Sequence, residues 1–313
     1  MSLFDTLIKY GMPFVPKPIV GQVARRYVAG DTIDDAVRTL RAMNDEGAMG
    51  TVDVLGEEVR DRSKAKAAVT QYLELLDRIE GEKLDANVSI KPTMLGLKID
   101  EAECVDNVTA IVSKAADLGN FVRIDMEDHT CTDATLRLHK TVHEAFPMSV
   151  GVVLQAYLLR TTGDIDSLLP MEPNIRICKG IYREPSDIAW QDFDTVRANF
   201  IYNMEKLLAN GAYVGIATHD RHLVWAGMRA VDQLGLNPED YEFQMLLGVD
   251  PALRKVILSN GHRLRVYVPY GIDWYPYSIR RLRENPSVAH HVIRAMLTRG
   301  HSFAPRNFRP RRS

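Results

Sequence analysis

Eight times between residues 49 and 268 a short apolar run rich in β-branched and aromatic side chains ends in a polar or glycine break. The runs are MGTVDVL (49–55), NVSI (87–90), FVRIDM (121–126), SVGVVL (149–154), NIRIC (174–178), YVGIAT (213–218), YEFQML (241–246) and RLRVYV (263–268). Helical periodicity follows the first seven, over Ser63–Ile79, Glu101–Leu118, Thr132–Phe146, Thr162–Leu169, Ser186–Leu208, Asp220–Leu234 and Pro251–Leu258. Each strand followed by a helix prescribes parallel pairing, and eight such units are what a (β/α)8 barrel of the TIM type requires. A doubly wound sheet is the alternative, but its G-x-G-x-x-G fingerprint is missing from the first strand–helix junction.

Before the first run, LFDTLIKYGMPFVPKPIV (3–20) reads as an amphipathic arm, since Pro13, Pro16 and Pro18 forbid a long helix. Asp31 is expected to cap a helix with Ile33, Val37 and Leu40 on one stripe and Gly47 as its stop. No internal repeat or low-complexity linker divides the chain. One catalytic barrel over 49–300 is therefore expected, with an arm and helix over 1–48 and a basic tail over 301–313. The eighth unit departs from the rhythm. Its helix starts only after the loop 269–276, and a second helix follows over 287–297, so that one of the two is available to lie over the barrel mouth.

At 313 residues and 46% hydrophobic side chains the chain is long enough for a single large core, and a formal net charge of -2 gives no field to recruit nucleic acid. Cys104, Cys131 and Cys178 are odd in number and widely spaced, which excludes a disulfide framework and a zinc knuckle and fits a reducing, cytoplasmic setting. No run approaches a membrane span, and residues 1–30 lack a signal peptide pattern. His139 and His143 are spaced i, i+4 but sit in mid-helix without H-E-x-x-H, so no metal is expected. The G-x-S-x-G elbow and the P-loop are absent as well.

In such a barrel the chemistry belongs at the C-terminal ends of the strands. Those ends carry Lys91, Asp125, Gln155, Arg176 with Lys179, Thr218 with His219, Gln244 and Tyr267. Arg123 and Asp125 share a strand face, which allows a structural ion pair. Arg176 is a charge inside an apolar strand, a position seldom left without a role. Gly180 permits close backbone approach, although a glycine after a strand is ordinarily only a turn. Thr218 and His219 stand beside Asp220, a helix N-cap, where free N–H groups favour phosphate. Arg280 and Arg281, adjacent on a helix, read by themselves as a solvated basic face; at a barrel mouth they become a carboxylate site. The whole suits an anionic small molecule and a phosphate-bearing cofactor.

The stretches VSIKPTMLG (88–96), RIDMED (123–128), VLQAYL (153–158), RICKGIYREP (176–185), ATHD (217–220), EFQMLLG (242–248) and YVPYGIDWYPYSIRRLRENP (267–286) resemble, in order, the proline dehydrogenase catalytic domain, in its small monofunctional bacterial form. The resemblance implies a distorted barrel that binds FAD, oxidises L-proline to Δ1-pyrroline-5-carboxylate by hydride transfer to flavin N5, and passes electrons to a membrane quinone. It implies that the last barrel helix covers the mouth, with Arg280 and Arg281 on the substrate carboxylate, Lys91 in support and Glu284 tethering the helix. Tyr267 and Tyr277 would pack around the pyrrolidine ring. Asp125 would hold the basic network, and Arg176 would lie near N5. Met126, Gln155, Lys179, Gly180, Ile181, Thr218 and His219 would contact FAD, with Glu242 and Gln244 near it. Ile181 stands where the family commonly has Ala, which bears on pocket width and on selection for unsubstituted proline.

Peripheral contact with the inner face of the membrane is the corresponding expectation from the electron acceptor, the arm and the basic end. The oligomeric state stays open. Two rival readings are a barrel aldolase using Lys91 or Lys179 as a Schiff base and a non-catalytic carboxylate-binding scaffold; neither calls for a flavin that proline bleaches.

Overall fold

The structure, a computed structural model, describes residues 25–56, 58–275 and 277–279. The chain divides into two units, Tyr27–Ile272 and Met1–Arg26 with Asp273–Ser313. The first holds eight parallel strands closed into a barrel in chain order. They are β1 (Met49–Val54), β2 (Ala86–Ile90), β3 (Val122–Ile124), β4 (Val150–Gln155), β5 (Asn174–Cys178), β6 (Tyr213–Ala217), β7 (Tyr241–Leu246) and β8 (Leu264–Tyr270). β8 closes on β1 from Met49↔Arg265 to Val54↔Tyr270. All eight expected runs are strands, with ends moved by a residue or two.

α1 (Ile33–Asp45) precedes the barrel, and α2 (Arg62–Gly81), α3 (Glu101–Asp117), α4 (Thr132–Ala145), α5 (Thr161–Leu168), α6 (Phe193–Ala209), α7 (Arg221–Gln233) and α8 (Pro251–Ser259) follow β1 to β7 in turn. Two helix starts differ from expectation. The cap of α1 is Thr32 rather than Asp31, because Thr32 and Asp35 form a reciprocal capping box. α6 begins at Phe193 instead of Ser186: Ile188 and Ala189 N–H close a turn on the Pro185 carbonyl, and Asp192 caps the helix by accepting from Thr195 N–H at 2.8 Å.

Strand positions alternate between two environments, as period 2 dictates. Val88, Ile124, Val152, Ile177 and Val214, all fully buried, join the apolar core. The intervening positions carry an unusual share of charge: Asp53, Arg123, Arg176, Glu242 and Arg265 are all buried. The anticipated ion pair between Arg123 and Asp125 does not form. Arg123 instead donates to the carbonyls of Val152 at 3.1 Å and Asn174 at 2.7 Å. Gly151 leaves it room, since a Cβ there would stand 2.5 Å from Nη1. Burial and the neighbouring Arg176 bring the Arg123 pKa down to about 9.

Candidate active site

Asp125 leaves the end of β3 with its N–H on the Ile90 carbonyl, which aims its carboxylate across the barrel. Arg176 Nη1 donates to Oδ1 at 2.7 Å, and the Tyr267 hydroxyl donates to Oδ2 at 2.8 Å. Lys91 stands 3.6 Å from the same Oδ2, 2.5 Å from Asp53 Oδ1 and 3.1 Å from the Tyr267 oxygen. Arg176 Nη2 reaches Ser89 Oγ at 3.1 Å, and its Nε donates to Gln244. Four side chains expected from separate strands, Lys91, Asp125, Arg176 and Tyr267, thus form one cluster.

Charge assignment follows from the surroundings. Burial and the carboxylate of Asp125 push the Tyr267 phenol well above its ordinary range, so it remains a neutral donor. Both cations also face its ring, Arg176 Cζ at 5.4 Å and Lys91 Nζ at 5.8 Å from the centroid. With Asp53 and Asp125 as counter-ions, the arrangement is a water-poor polar floor with fixed donors, suited to orienting a small zwitterion.

A second group lies at the ends of β3 to β6. Gln155 Nε2 donates to the carbonyls of Met126 and Glu127, each at 3.1 Å, while its Oε1 is buried with no hydrogen-bond partner among the described residues. Lys179 Nζ lies 3.2 Å from Asp220, onto which Arg197 forks with two contacts of 2.8 Å. Burial raises the Asp220 pKa, but Arg197 and Lys179 outweigh it and hold the carboxyl at about 2. Thr218 Oγ1 accepts from Asp220 N–H at 3.1 Å, and His219 Nε2 accepts from Leu246 N–H at 2.7 Å, so this imidazole nitrogen carries no proton.

Gly180 has φ +105°, and a Cβ there would come 2.1 Å from the Tyr157 ring. The glycine is therefore demanded by packing as well as available for ligand approach. Ile181 is exposed on the same loop. Glu242 and Gln244 are both buried on β7; Gln244 meets Arg176 through its side chain, and its backbone carbonyl accepts from Thr218 N–H at 3.1 Å. Tyr277 belongs to the other unit, where residues 277–279 are helical as expected of the first helix after β8; Arg280, Arg281 and Glu284 and the second expected helix lie outside the described residues.

Sequence reasoning misses Asp53, Ser89, Arg197 and Glu184. The same test that singles out Arg176, a polar group inside an apolar strand, would have found Asp53. Glu184 carries no such signal. Its buried carboxylate accepts from His129 N–H at 2.9 Å and pairs with the His129 ring, tying the loop after β5 to the loop after β3.

Fold and site together define a (β/α)8-barrel enzyme with a charged mouth for a small anionic or zwitterionic substrate. Residues 36–294 match the proline dehydrogenase family model. The chain is 37% identical to proline dehydrogenase of Deinococcus radiodurans over 88% of this chain and 90% of the relative. It is 35% identical to proline dehydrogenase 1 of Bacillus subtilis strain 168, with the same 88% and 90% coverage. Among solved structures, proline utilization A from Bdellovibrio bacteriovorus, inactivated by N-propargylglycine, superposes with TM-score 0.80 at 24% identity. That match covers 90% of this chain and 34% of the other. The chain belongs to the proline dehydrogenase family.

Proposed function

We propose that the Lys91, Asp125, Arg176 and Tyr267 cluster is the floor of the proline site, and that the rim from Met126 to His219 holds FAD. The chain is a flavin-dependent oxidoreductase that converts proline to Δ1-pyrroline-5-carboxylate, the first step of proline catabolism. The observation that carries the residue assignment is the joining of four charged or phenolic groups from four strands at the C-terminal end of the barrel.

FAD when bound supplies the hydride acceptor. The residues present fit it. The orphaned Gln155 Oε1 is an acceptor of the kind a ring N–H satisfies, Gly180 brings backbone close, and Lys179 with Thr218 flanks the N-terminus of α7, where phosphate is favoured. Asp125 holds Arg176 and Lys91 in place, so no reorganisation is needed as charge develops. Arg176 would set positive charge beside the bound cofactor, and Lys91 would add a point charge on the carboxylate side. The Tyr267 ring packs against the pyrrolidine.

The family resemblance assigns Arg280 and Arg281, outside the described residues, to the substrate carboxylate as a bidentate fork, with Glu284 in support. Arg281→Lys is expected to raise KM for proline with little change in kcat, because an ammonium cannot reproduce the fork. An unchanged KM in steady-state kinetics removes that role. For the rim, Gln155→Leu and Lys179→Ala should each weaken FAD binding to the apoprotein in a fluorescence titration; wild-type affinity in both would move the cofactor elsewhere.

Electrons pass on to a quinone at a membrane surface. Among the described residues no helix is long and apolar enough to cross a membrane, so contact would be peripheral, through the arm and the basic tail. Quinone reduction and liposome binding that survive deletion of both ends would count against this.

A further inference from the structure

We infer that Glu242 and Gln244 form a positioning relay inside the barrel that fixes the Arg176 guanidinium from beneath, and that Gly215 is the notch that admits it. The inference rests on the reading that Arg176 faces the flavin.

Arg176 on β5 is flanked in register by Val153 on β4 and Gly215 on β6. Gln244 lies on β7, one strand further on, and reaches Arg176 only by passing over β6. Glycine makes the passage possible: a Cβ on Gly215 would stand 2.6 Å from Gln244 Nε2. Through that gap Gln244 Oε1 accepts from Arg176 Nε, while Gln244 Nε2 donates to Glu242 Oε1.

An amide can present either end, and the donor on Arg176 and the acceptor on Glu242 together decide which. An ionised carboxylate only accepts, so it takes the N–H of Gln244 and turns the carbonyl oxygen toward Arg176. Glu242 is itself held by Arg265 Nε at 2.8 Å and by the Tyr213 hydroxyl at 2.9 Å. Burial raises its pKa, but Arg265 outweighs this and keeps the carboxyl at about 2. The anion at the base of the relay is thus permanent across the working range.

Gln244 secures the remaining edge of the guanidinium. Nη1 is on Asp125 at 2.7 Å and Nη2 on Ser89 at 3.1 Å. With Nε also anchored, the planar group is pinned on three sides and cannot tilt. Barrel interiors are ordinarily packed with branched apolar side chains. A satisfied polar chain in their place specifies one orientation of the group above it.

The test is the midpoint potential of the bound flavin, with kcat and KM for proline alongside, in holoenzyme carrying Gln244→Met, Gly215→Ala or Glu242→Gln. Glu242→Gln leaves Arg265 without its counter-ion and risks misfolding. Gln244→Met keeps volume and both ion pairs and is the deciding arm. The relay predicts retained FAD, a potential shifted to more negative values, and a kcat lowered roughly tenfold to a hundredfold with KM little changed. A Gln244→Met protein that binds FAD at wild-type potential overturns the relay, since a merely space-filling residue would alter stability alone. Arg176→Lys is measured in parallel. If it shifts the potential while Gln244→Met and Gly215→Ala do not, only the relay fails; if it leaves the potential unchanged, the reading of Arg176 fails and the relay with it.

Discussion

Asp125 both neutralises buried cations and orients them, and two substitutions separate these effects. Asp125→Ala leaves Arg176 and Lys91 short of a counter-ion in the barrel interior, and is expected to cost about 3 kcal/mol in urea unfolding. Asp125→Asn keeps an acceptor for the Tyr267 hydroxyl without the charge. Because it removes the counter-ion too, it should recover only the hydrogen-bonding part of that loss, and it should lose roughly a hundredfold in kcat/KM. Equal stability losses in the two variants would contradict the distinction. Asp125 and Arg176 are legible in the sequence because each is a charge set in or against an apolar strand. Asp53 meets the same test, but its pairing with Lys91 comes from the β1–β2 register, Asp53↔Ser89, which no local pattern encodes. The same limit applies to Gln244, whose contact with Arg176 crosses an intervening strand.

Among the elements, the loop after β5 and helix α4 each yield a prediction. Gly180→Ala would place a methyl against Tyr157 in a left-handed backbone region, displacing Lys179 and Ile181. The purified variant should carry less flavin per chain after dialysis, read from the visible-to-ultraviolet absorbance ratio; full occupancy would show that the loop does not hold the cofactor. On α4, His139 is fully buried and neither ring nitrogen has a partner among the described residues. Burial and the adjacent His143 take its pKa from 6.5 to about 3. The unfolded chain therefore binds the proton first as pH falls, and stability is lost progressively from about pH 6.5 toward pH 3. His139→Leu should flatten that part of the stability–pH curve in urea unfolding; an unchanged slope would mean His139 contributes nothing to it. Strands were easier to read than helix starts because a buried strand needs only its apolar run. The start of α6 depends on which residue caps it, and both Ser186 and Asp192 offer that chemistry.

At the scale of the molecule, eight strand–helix units close into a parallel barrel, and the closure brings Lys91, Asp125, Arg176 and Tyr267 from four strands to one end. Strand rhythm makes that architecture legible, because few folds take eight parallel units in one domain. Arg280 and Arg281 are different in kind: they lie outside the described residues, and strand–helix periodicity does not encode their place relative to the strands. The central claim is that this barrel end oxidises proline with a bound flavin. Anaerobic addition of L-proline to the purified holoenzyme tests it most directly, followed at the flavin band near ~450 nm. Bleaching with formation of Δ1-pyrroline-5-carboxylate is expected, with a large loss of bleaching rate in Asp125→Asn. A flavin that stays oxidised in the presence of saturating proline, or a protein that turns over proline without flavin, would contradict it.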